Sequence, residues 1–439
     1  MEEKVRTHYK NNLHSFIIIA VIFISAFFYY HRYEYDFECG DLSIRIGAAQ
    51  LQQKGLNPYF SKYLSNEQVV NRVVSTPFLN TLHNPLINLN TCQLKQASFY
   101  INFTLLFLCF FFIASLLAGS HWVRLYILGA IILVVFVFAK PFFWSLNAGQ
   151  IYLLFTLLFF LLFYLLKQKQ YFILGLAWAI AIALRPIFLM GTVLALLYFN
   201  RRVIAGLVAG AVLIMLFSIT TNTIGFWKDY SMAMPKYAYQ IPARLGVPGV
   251  EFKYVDITST LPYTRCNGIL PEGSIADKLM VARPGREMPS LQYLLTATSH
   301  KIFVNTTFFS AIACALVLVV AFAARFRFKQ LTTEKYMMLI FVLYLICELC
   351  VPALRSPYNF VLWLFGAALI CKYANFVEVG LMLFGFIVYY HLPFFNARFG
   401  ELYMIIACIM YIFRKSEYPY YIGWLNKIVP YKYHITKKI

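Results

Sequence analysis

The chain has 439 residues, of which 61% are hydrophobic and only 13% are charged, and its mean hydropathy is +0.67. This composition excludes an ordinary soluble domain and indicates a protein with many membrane-spanning helices. The formal net charge of +20 lies mostly in short loops and in the C-terminal tail. There it is expected to contact anionic lipid headgroups, so it does not predict nucleic-acid binding.

Twelve apolar stretches are predicted to cross the membrane, since a span needs about 20 apolar residues. In chain order they cover residues 14–31, 99–118, 125–143, 151–166, 171–185, 187–200, 203–220, 302–323, 336–353, 358–372, 375–391 and 399–413. The sequence therefore predicts an all-α polytopic membrane protein, with residues 1–439 forming a single integral membrane domain.

The short connections between these stretches alternate between basic ones and ones with almost no charge. The N-terminal segment 1–13 is basic, and every second connection after it carries Lys or Arg, ending with the basic tail 414–439. Because cytoplasmic loops carry an excess of Lys and Arg, both termini are predicted to be cytoplasmic. The long segments 32–98 and 221–301 then become extracytoplasmic loops with amphipathic helices. The bias toward Lys, Ile, Phe and Tyr indicates a bacterium with an AT-rich genome, and the predicted location is the plasma membrane of that bacterium.

Four basic residues break this charge rule, because they lie at the charge-poor ends of the predicted spans and close to prolines. They are Lys140, Arg185, Arg355 and Arg398. A cation placed against the topological bias costs free energy of insertion, so these residues are predicted to bind an anion. Arg185 and Arg355 interrupt apolar sequence beside a proline, where helix ends and an arginine favour a phosphate group. The alternative, which fits Lys140 and Arg398 better, is that the side chains extend to the membrane interface.

The first long loop begins with a cluster of carboxylates that includes Asp41. The pattern from Leu42 to Leu51 predicts an amphipathic helix, with Asp41 as its N-cap and Gly55 and Pro58 after its end. Asp41 therefore has two interpretations, a helix cap or a partly desolvated general base that removes a proton from a hydroxyl group. Near the predicted outer surface, Glu348 is expected to pair with a helix end or with one of the arginines.

The nine cysteines do not predict a metal site. The one close pair, Cys347 and Cys350, lies inside an apolar span, so no zinc site is indicated. Cys39, Cys92 and Cys266 fall in the long loops, where one disulfide could form.

The stretch from Asp41 to Tyr59 resembles the D-x6-A-A-x5-G-x-x-P-Y signature that follows the first helix of glycosyltransferase family 87. The segment from Thr76 to Leu86 is similar to the proline-rich segment of that family, although family members more often have Tyr-Pro-Pro there. The segment from Asn147 to Pro186 is similar to its central GQ, AGL and KP motifs, with Arg185 in place of the usual Lys. Ser356-Pro357 is similar to its late SP motif, and the motifs follow the family's order through residues 41–370.

The resemblance implies a GT-C fold and an inverting transfer of a hexose, with mannose favoured, from a polyprenyl-phosphate sugar to a glycolipid or glycan hydroxyl outside the cell. It implies that Asp41 is the catalytic base, and that neither a cofactor nor a metal ion takes part. The residues expected to bind the donor phosphate are Arg185, Arg355, Lys140 and Arg398. Those expected to bind the sugar or the acceptor are Asn147, Gln150, Trp144 and Tyr358.

Two other classes of membrane protein share parts of this pattern. A transporter or flippase for lipid-linked sugars predicts internal repeats and polar groups near the middle of the membrane, whereas the sequence has no evident repeat and places its polar groups at one surface. An enzyme similar to O-antigen ligases or polymerases predicts a large late outer loop, whereas the long loops of this chain are early and central. Both classes stay as alternatives.

Overall fold

The computed structural model describes residues 2–32, 39–59, 63–65, 68–70, 73, 75–118, 122–132, 136, 140–198, 200–234, 259–260, 290–292, 295, 305–350, 357–390 and 398–414. These regions are mainly helical. The first half contains α1 (Glu2–His31), α2 (Gly40–Gln53), β1 (Tyr63–Ser65), β2 (Gln68–Val70), α3 (Pro77–Thr81), a 3-10 turn (Asn84–Leu86), α4 (Thr91–Leu117), α5 (Trp122–Ile131), α6 (Lys140–Ala148), α7 (Tyr152–Lys167) and α8 (Tyr171–Leu184).

The second half begins with a 3-10 helix (Pro186–Gly191) that continues into α9 (Thr192–Leu197). It goes on with α10 (Arg201–Thr220), α11 (Ile224–Ala233), β3 (Ser259–Thr260), α12 (Thr306–Arg327), α13 (Thr333–Cys350), a 3-10 helix (Pro357–Leu362), α14 (Trp363–Tyr373), α15 (Phe376–Tyr390) and α16 (Arg398–Phe413). Several helices begin at an asparagine whose side chain accepts from the first turn, as Asn90, Asn200 and Asn305 do. Each cap satisfies a backbone N–H that has no partner within its helix.

Within the described part of the chain, four helices are long and apolar enough to cross a membrane: Leu13–His31, Thr91–Leu117, Arg201–Thr220 and Thr306–Arg327. The pair Pro141–Ala148 and Tyr152–Lys167 would make a fifth span, although it is bent by 116°. The predicted helical membrane fold is therefore confirmed. The predicted number of twelve spans stays a prediction, because most of the other helices are shorter.

One predicted span looks different in the structure. The stretch 187–200 was predicted as a membrane helix, but it forms a 3-10 helix followed by the short α9. Of the stretch 125–143, the structure describes α5 up to Ile131, residues 132 and 136, and α6 from Lys140 onward. The predicted turn at Arg185-Pro186 is present, because the indole N–H of Trp178 on α8 donates to the Phe188 carbonyl at 3.0 Å. That bond brings the chain after Pro186 back along α8.

Basic residues of several predicted cytoplasmic connections meet at one end of the helix bundle, called here the basic end. Arg124 donates to the Lys372 carbonyl at 2.6 Å, and Lys372 donates to the Ala118 carbonyl at 2.9 Å. Arg414 forms an ion pair of 3.1 Å with Glu378, and Lys335 donates to the Arg414 carbonyl. Backbone carbonyls at helix C-termini carry partial negative charge, so these cations stabilise the ends that they contact.

Residues of the two long loops meet at the opposite end of the bundle. A small sheet has the strand order β2-β1-β3, in which β1 is antiparallel to β2 and parallel to β3. Beside it, one face of α2 packs against α11 in a second hydrophobic core, made by Ile44, Ala48, Leu51, Tyr59, Val73 and Ala233. Another face of α2, with Leu42 and Ile46, packs on the main core of the bundle. The helix predicted from Leu42 to Leu51 is confirmed, and it lies between two apolar surfaces.

Candidate functional site

The turn between α6 and α7 holds α2 against the end of the bundle. Gly149 ends α6 with a φ of +64°, and the N–H groups of Gly149 and Gln150 donate to the carbonyls of Leu146 and Ser145. This pair of bonds is the Schellman arrangement that glycine favours after a helix. A Cβ atom on Gly149 would lie 2.7 Å from Cβ of Leu42, so glycine also allows α2 to approach. The carbonyl of Asn147 accepts from the N–H of Cys39 at 2.6 Å, which fixes the start of α2.

Asp41 lies in the first turn of α2, which begins at Gly40 after Cys39. The prediction that Asp41 is the N-cap is wrong, because Cys39 holds that position in a left-handed conformation without a side-chain cap. The carboxylate of Asp41 instead accepts a short hydrogen bond from Nε2 of Gln150. The hydrogen bond from Gln150 fixes the position of the carboxylate, and Asp41 as a whole residue is only half-buried.

Arg45 follows one helical turn after Asp41 and is 7% exposed. Its guanidinium donates to the Gly149 carbonyl, and to Oε1 of Gln150 at 3.5 Å. Nε of Arg45 is buried and has no hydrogen-bond partner among the described residues. Burial lowers the pKa of Arg45, and the nearby Asp41 carboxylate opposes this change. Gln150 therefore bridges the two charges, because its amide donates to Asp41 and accepts from Arg45.

Arg185 lies where α8 ends, and it has a carboxylate partner. It forms a short ion pair with Glu348 on α13, and the hydroxyl of Tyr344 donates to the same carboxylate at 2.9 Å. The side chain of Glu348 is 1% exposed and that of Arg185 is 20% exposed. The rings of Tyr152 and Phe155 lie 4.7 Å and 5.2 Å from the guanidinium carbon, within the range of cation–π attraction. The predicted pairing of Glu348 with one of the arginines is confirmed.

A hydrogen-bonded cluster around α3 lies beside this site. Thr76 caps α3 through the Leu79 N–H, and its hydroxyl donates to the Ala183 carbonyl at 2.6 Å, two residues before Arg185. Asn80 is fully buried, donates to the hydroxyl of Tyr59 at 3.2 Å and accepts from Ser75. These bonds satisfy polar groups that would otherwise cost free energy when buried. They also attach the loop that contains α3 to the end of α8.

His83 is a buried histidine near Arg45. Its Nδ1 donates to the Leu79 carbonyl at 2.8 Å. Burial, together with the positive charge of Arg45, lowers the pKa of His83 to about 4. The imidazole is therefore neutral at physiological pH. It adds no positive charge to the site, and its Nε2 is an acceptor.

Aromatic side chains connect the two arginines. Tyr152 contributes to the electrostatic environment of both Arg45 and Arg185, and its ring lies 5.2 Å from that of Tyr358. Tyr230 of α11 packs on Tyr59 with 5.6 Å between ring centroids. Burial raises the pKa of Tyr230 to about 12, although Arg185 opposes this shift. The end of the bundle thus holds Asp41, two arginines and several tyrosine hydroxyl groups.

The structure describes the other predicted site residues to different extents. Trp144 and Tyr358 are half-buried. Lys140 and Arg398 are the first residues of α6 and α16, and their side chains lie outside the described part. Arg355 lies outside the described residues altogether. Among the residues that the structure describes, no group of three His, Cys, Asp or Glu side chains is placed to hold a metal ion.

Two residues of this site were missed by sequence reasoning. Arg45 was passed over as part of an amphipathic helix, and Tyr152 as part of an apolar span. A signal for Arg45 exists, because Asp41 and Arg45 are spaced four apart and share one helix face. No comparable signal marks Tyr152.

One predicted cysteine does take part in a disulfide. Cys92, in the first turn of α4, is disulfide-bonded. Cys39 is a buried cysteine outside any disulfide, and Cys266 lies outside the described residues. The carbonyl of Ile87 accepts from Gln50 of α2 at 3.2 Å, which places the start of α4 at the same end of the bundle as Asp41.

Comparisons with known proteins give no family for this chain. No protein-family model, no curated protein and no solved structure matches it.

Proposed function

We propose that this protein is an integral membrane glycosyltransferase. It moves a hexose, with mannose favoured, from a polyprenyl-phosphate sugar to a hydroxyl of a glycolipid or glycan. The observation that carries the proposal is the position of Asp41, a half-buried carboxylate held by Gln150. This carboxylate lies at the end of an apolar helix bundle, and Arg45 and Arg185 lie at the same end. A carboxylate beside fixed cations matches a reaction that removes a hydroxyl proton and leaves a phosphate.

The proposed topology has twelve spans, both termini in the cytoplasm of a bacterial plasma membrane, and the end that contains Asp41 outside. Two observations support this orientation. Arg124, Lys335, Lys372 and Arg414 meet at the basic end, and positive residues are typical of cytoplasmic surfaces. Cys92 lies at the other end and is disulfide-bonded, which is typical of an oxidising compartment outside the cytoplasm.

In the proposed reaction, Asp41 accepts the proton of the acceptor hydroxyl. The acceptor oxygen forms a bond with the anomeric carbon, the bond from that carbon to the phosphate oxygen breaks, and the bonding pair stays on the phosphate. Attack from the opposite face inverts the anomeric configuration. Arg185, Arg355, Lys140 and Arg398 are proposed to bind the donor phosphate, and positive charge there stabilises the leaving group as its charge grows.

The proposed role of Gln150 changes with the structure. Its amide is occupied by Asp41 and Arg45, so it is proposed to position the base rather than to bind the sugar. Asn147, Trp144 and Tyr358 remain proposed contacts for the sugar and the acceptor. An aromatic ring presents an apolar face to a sugar ring, and Tyr358 adds a hydroxyl group.

The test is sugar transfer in membranes, with radiolabelled polyprenyl-phosphate-mannose and extracted lipids. At matched expression, Asp41→Asn is expected to lose about 100-fold or more of the transfer rate, because the amide cannot accept the proton. Asp229→Asn on α11 is the matched control and is expected to keep the parental rate.

Transfer that survives in Asp41→Asn would remove Asp41 from the role of base. If the parent transfers neither mannose nor any other polyprenyl-phosphate sugar, the proposal fails. The ligase-like enzyme and the lipid-linked sugar transporter would then be the classes to test.

A further inference from the structure

Arg45 is a buried cation that has no direct ion pair with a carboxylate in the described part of the chain. Its hydrogen bonds go to two neutral oxygens, the Gly149 carbonyl and the Gln150 amide. Nε, a third donor, has no partner in the described part of the chain. A buried donor without a partner costs free energy, and the cost is larger for a charged group. A hydrogen-bond acceptor added near Nε of Arg45 would therefore lower this free-energy cost.

Gln150 separates Arg45 from the nearest carboxylate. Asp41 and Arg45 are one turn apart on α2, a spacing at which a carboxylate and a guanidinium often pair directly. Here each binds the same Gln150 side chain, Asp41 at the amide nitrogen and Arg45 at the amide oxygen. Among the described residues Asp41 and Arg45 form no ion pair, so the base and the cation are both kept available.

Among the described residues, the groups that act on Arg45 include one carboxylate. Asp41, Tyr358, Tyr152 and Cys39 contribute to its electrostatic environment, and Arg45 in turn acts on His83. In this set Asp41 has the one carboxylate, and the other members are two tyrosines and a cysteine. Arg185 differs, because Glu348 pairs with it directly.

We propose that Arg45 binds the phosphate of the polyprenyl-phosphate substrate, beside the carboxylate that takes the proton. This inference rests on the proposed function and adds a residue to it. A guanidinium presents several donors in one plane and therefore suits phosphate oxygens. Asp41, one helical turn before Arg45, is half-buried, and Gln150 binds both side chains, so an anion that reaches Asp41 is close to the guanidinium.

The charges of this arrangement balance through the reaction. Before transfer, Asp41 and the phosphodiester each carry one negative charge, and Arg45 carries one positive charge. After transfer, Asp41 is neutral because it holds the acceptor proton, and the released phosphate monoester carries two negative charges. The total charge is unchanged. Asp41 loses its negative charge in the same step in which the phosphate gains one. The electrostatic attraction between Arg45 and the leaving phosphate therefore becomes stronger during the reaction.

Equilibrium binding to the purified full-length protein tests the site without requiring catalysis. The probes are radiolabelled polyprenyl phosphate, the neutral polyprenol of the same length, and inorganic phosphate as competitor. Arg45→Gln is expected to bind polyprenyl phosphate about tenfold more weakly or worse, because a charge-assisted hydrogen bond is lost. Polyprenol should bind the parent and the variant alike. Arg202→Gln, which changes an exposed arginine in the first turn of α10, is the matched control and should bind like the parent.

A second variant covers the case in which Arg45→Gln does not fold. Gln150→Glu leaves Arg45 in place but gives it a carboxylate partner, and it is expected to weaken polyprenyl phosphate binding by a similar factor. Parental binding in a folded Arg45→Gln or Gln150→Glu variant overturns the inference. The inference is also overturned if the parent binds polyprenyl phosphate no more tightly than polyprenol, while inorganic phosphate does bind at the site. The site would then recognise free phosphate and not the phosphate of the lipid.

Failure of the inference and failure of the proposed function give different results. Arg45-dependent binding without any sugar transfer would remove the transferase proposal and leave the phosphate site. Sugar transfer with unchanged binding in Arg45→Gln would leave the transferase and remove Arg45 from the site.

Discussion

Arg45 and Arg185 lie at the same end of the bundle, yet their guanidinium groups have different kinds of partner. Arg185 is neutralised by Glu348 and surrounded by the rings of Tyr152, Phe155 and Tyr344. Arg45 is more buried as a residue, but its hydrogen bonds go only to neutral oxygens. Glu348 compensates part of the charge of Arg185 and fixes the position of its guanidinium, whereas Arg45 has no direct carboxylate partner among the described residues. The pairing of each arginine therefore says more about its role than its burial does.

The largest expected effect on stability comes from removing the carboxylate that pairs with Arg185. Glu348→Gln should lower the free energy of unfolding by about 3 kcal/mol, because it leaves a mostly buried guanidinium without its counter-charge. Tyr344→Phe removes one hydrogen bond to the same carboxylate and should cost only about 1 kcal/mol. Reversible unfolding in mixed micelles measures both values.

Arg45→Gln is the comparison for that experiment and should cost about 1 kcal/mol, since it removes hydrogen bonds but no direct ion pair. Equal losses of unfolding free energy in Glu348→Gln and Arg45→Gln would contradict the idea that only Arg185 depends on a direct carboxylate partner.

The second expected effect is a loss of stability at acidic pH that is caused by protonation of His83, the buried histidine near Arg45. The pKa of His83 is about 4 in the folded protein and 6.5 without burial, so the unfolded chain binds a proton more readily. The contribution of His83 to stability is then fully present above pH 6.5 and is lost as the pH falls toward 4. The loss should reach about 3 kcal/mol.

Unfolding measured between pH 7 and pH 4 tests this expectation, with His83→Gln as the variant. The variant should lose the part of the pH dependence that lies in this window. An unchanged slope in His83→Gln would assign the acid sensitivity to other groups.

The smallest expected effect compares two glycines with the same backbone conformation. Gly149 and Gly55 have φ values of +64° and +70°, but only at Gly149 would a Cβ meet a neighbour, Leu42. Gly55→Ala should cost about 1 kcal/mol for the left-handed conformation alone. Gly149→Ala should cost about 1 kcal/mol more, because α2 must move.

Sugar transfer separates these two variants further, because Gly149 is in contact with the helix that carries Asp41 and Arg45. Gly149→Ala should reduce transfer, and Gly55→Ala should leave it near the parental rate. Equal effects of the two substitutions would mean that the turn does not position α2.

Much of the fold was accessible from the sequence, because hydrophobic length and Pro or Gly breaks are local signals. The helix from Leu42 to Leu51 and the chain reversal at Arg185-Pro186 were predicted from such signals. The pairing of Glu348 with an arginine was also predicted, since an acid in an apolar span needs a partner. Helix existence was easier to predict than span length, as the 3-10 helix after Pro186 shows.

The rest depended on contacts between distant parts of the chain. Asp41 was assigned to the N-cap because its side chain is suited to one, but the tertiary contact with Gln150 decided its position. Arg45 became notable only when its partners were known, and those partners come from the turn after α6. No local pattern relates residue 64 to residue 260, which pair in the small sheet.

That pairing also fixes an order of events during synthesis. The second core needs α2 and also Ala233 of α11, and β1 needs β3, so this surface cannot close until the second long loop has been made. At about 5–20 residues per second, the ribosome takes on the order of ten seconds or more to cover that separation. During this time α2 can pack only against helices that have already been synthesised. We expect a chain truncated after α10 to retain its inserted helices but to leave α2 open to protease.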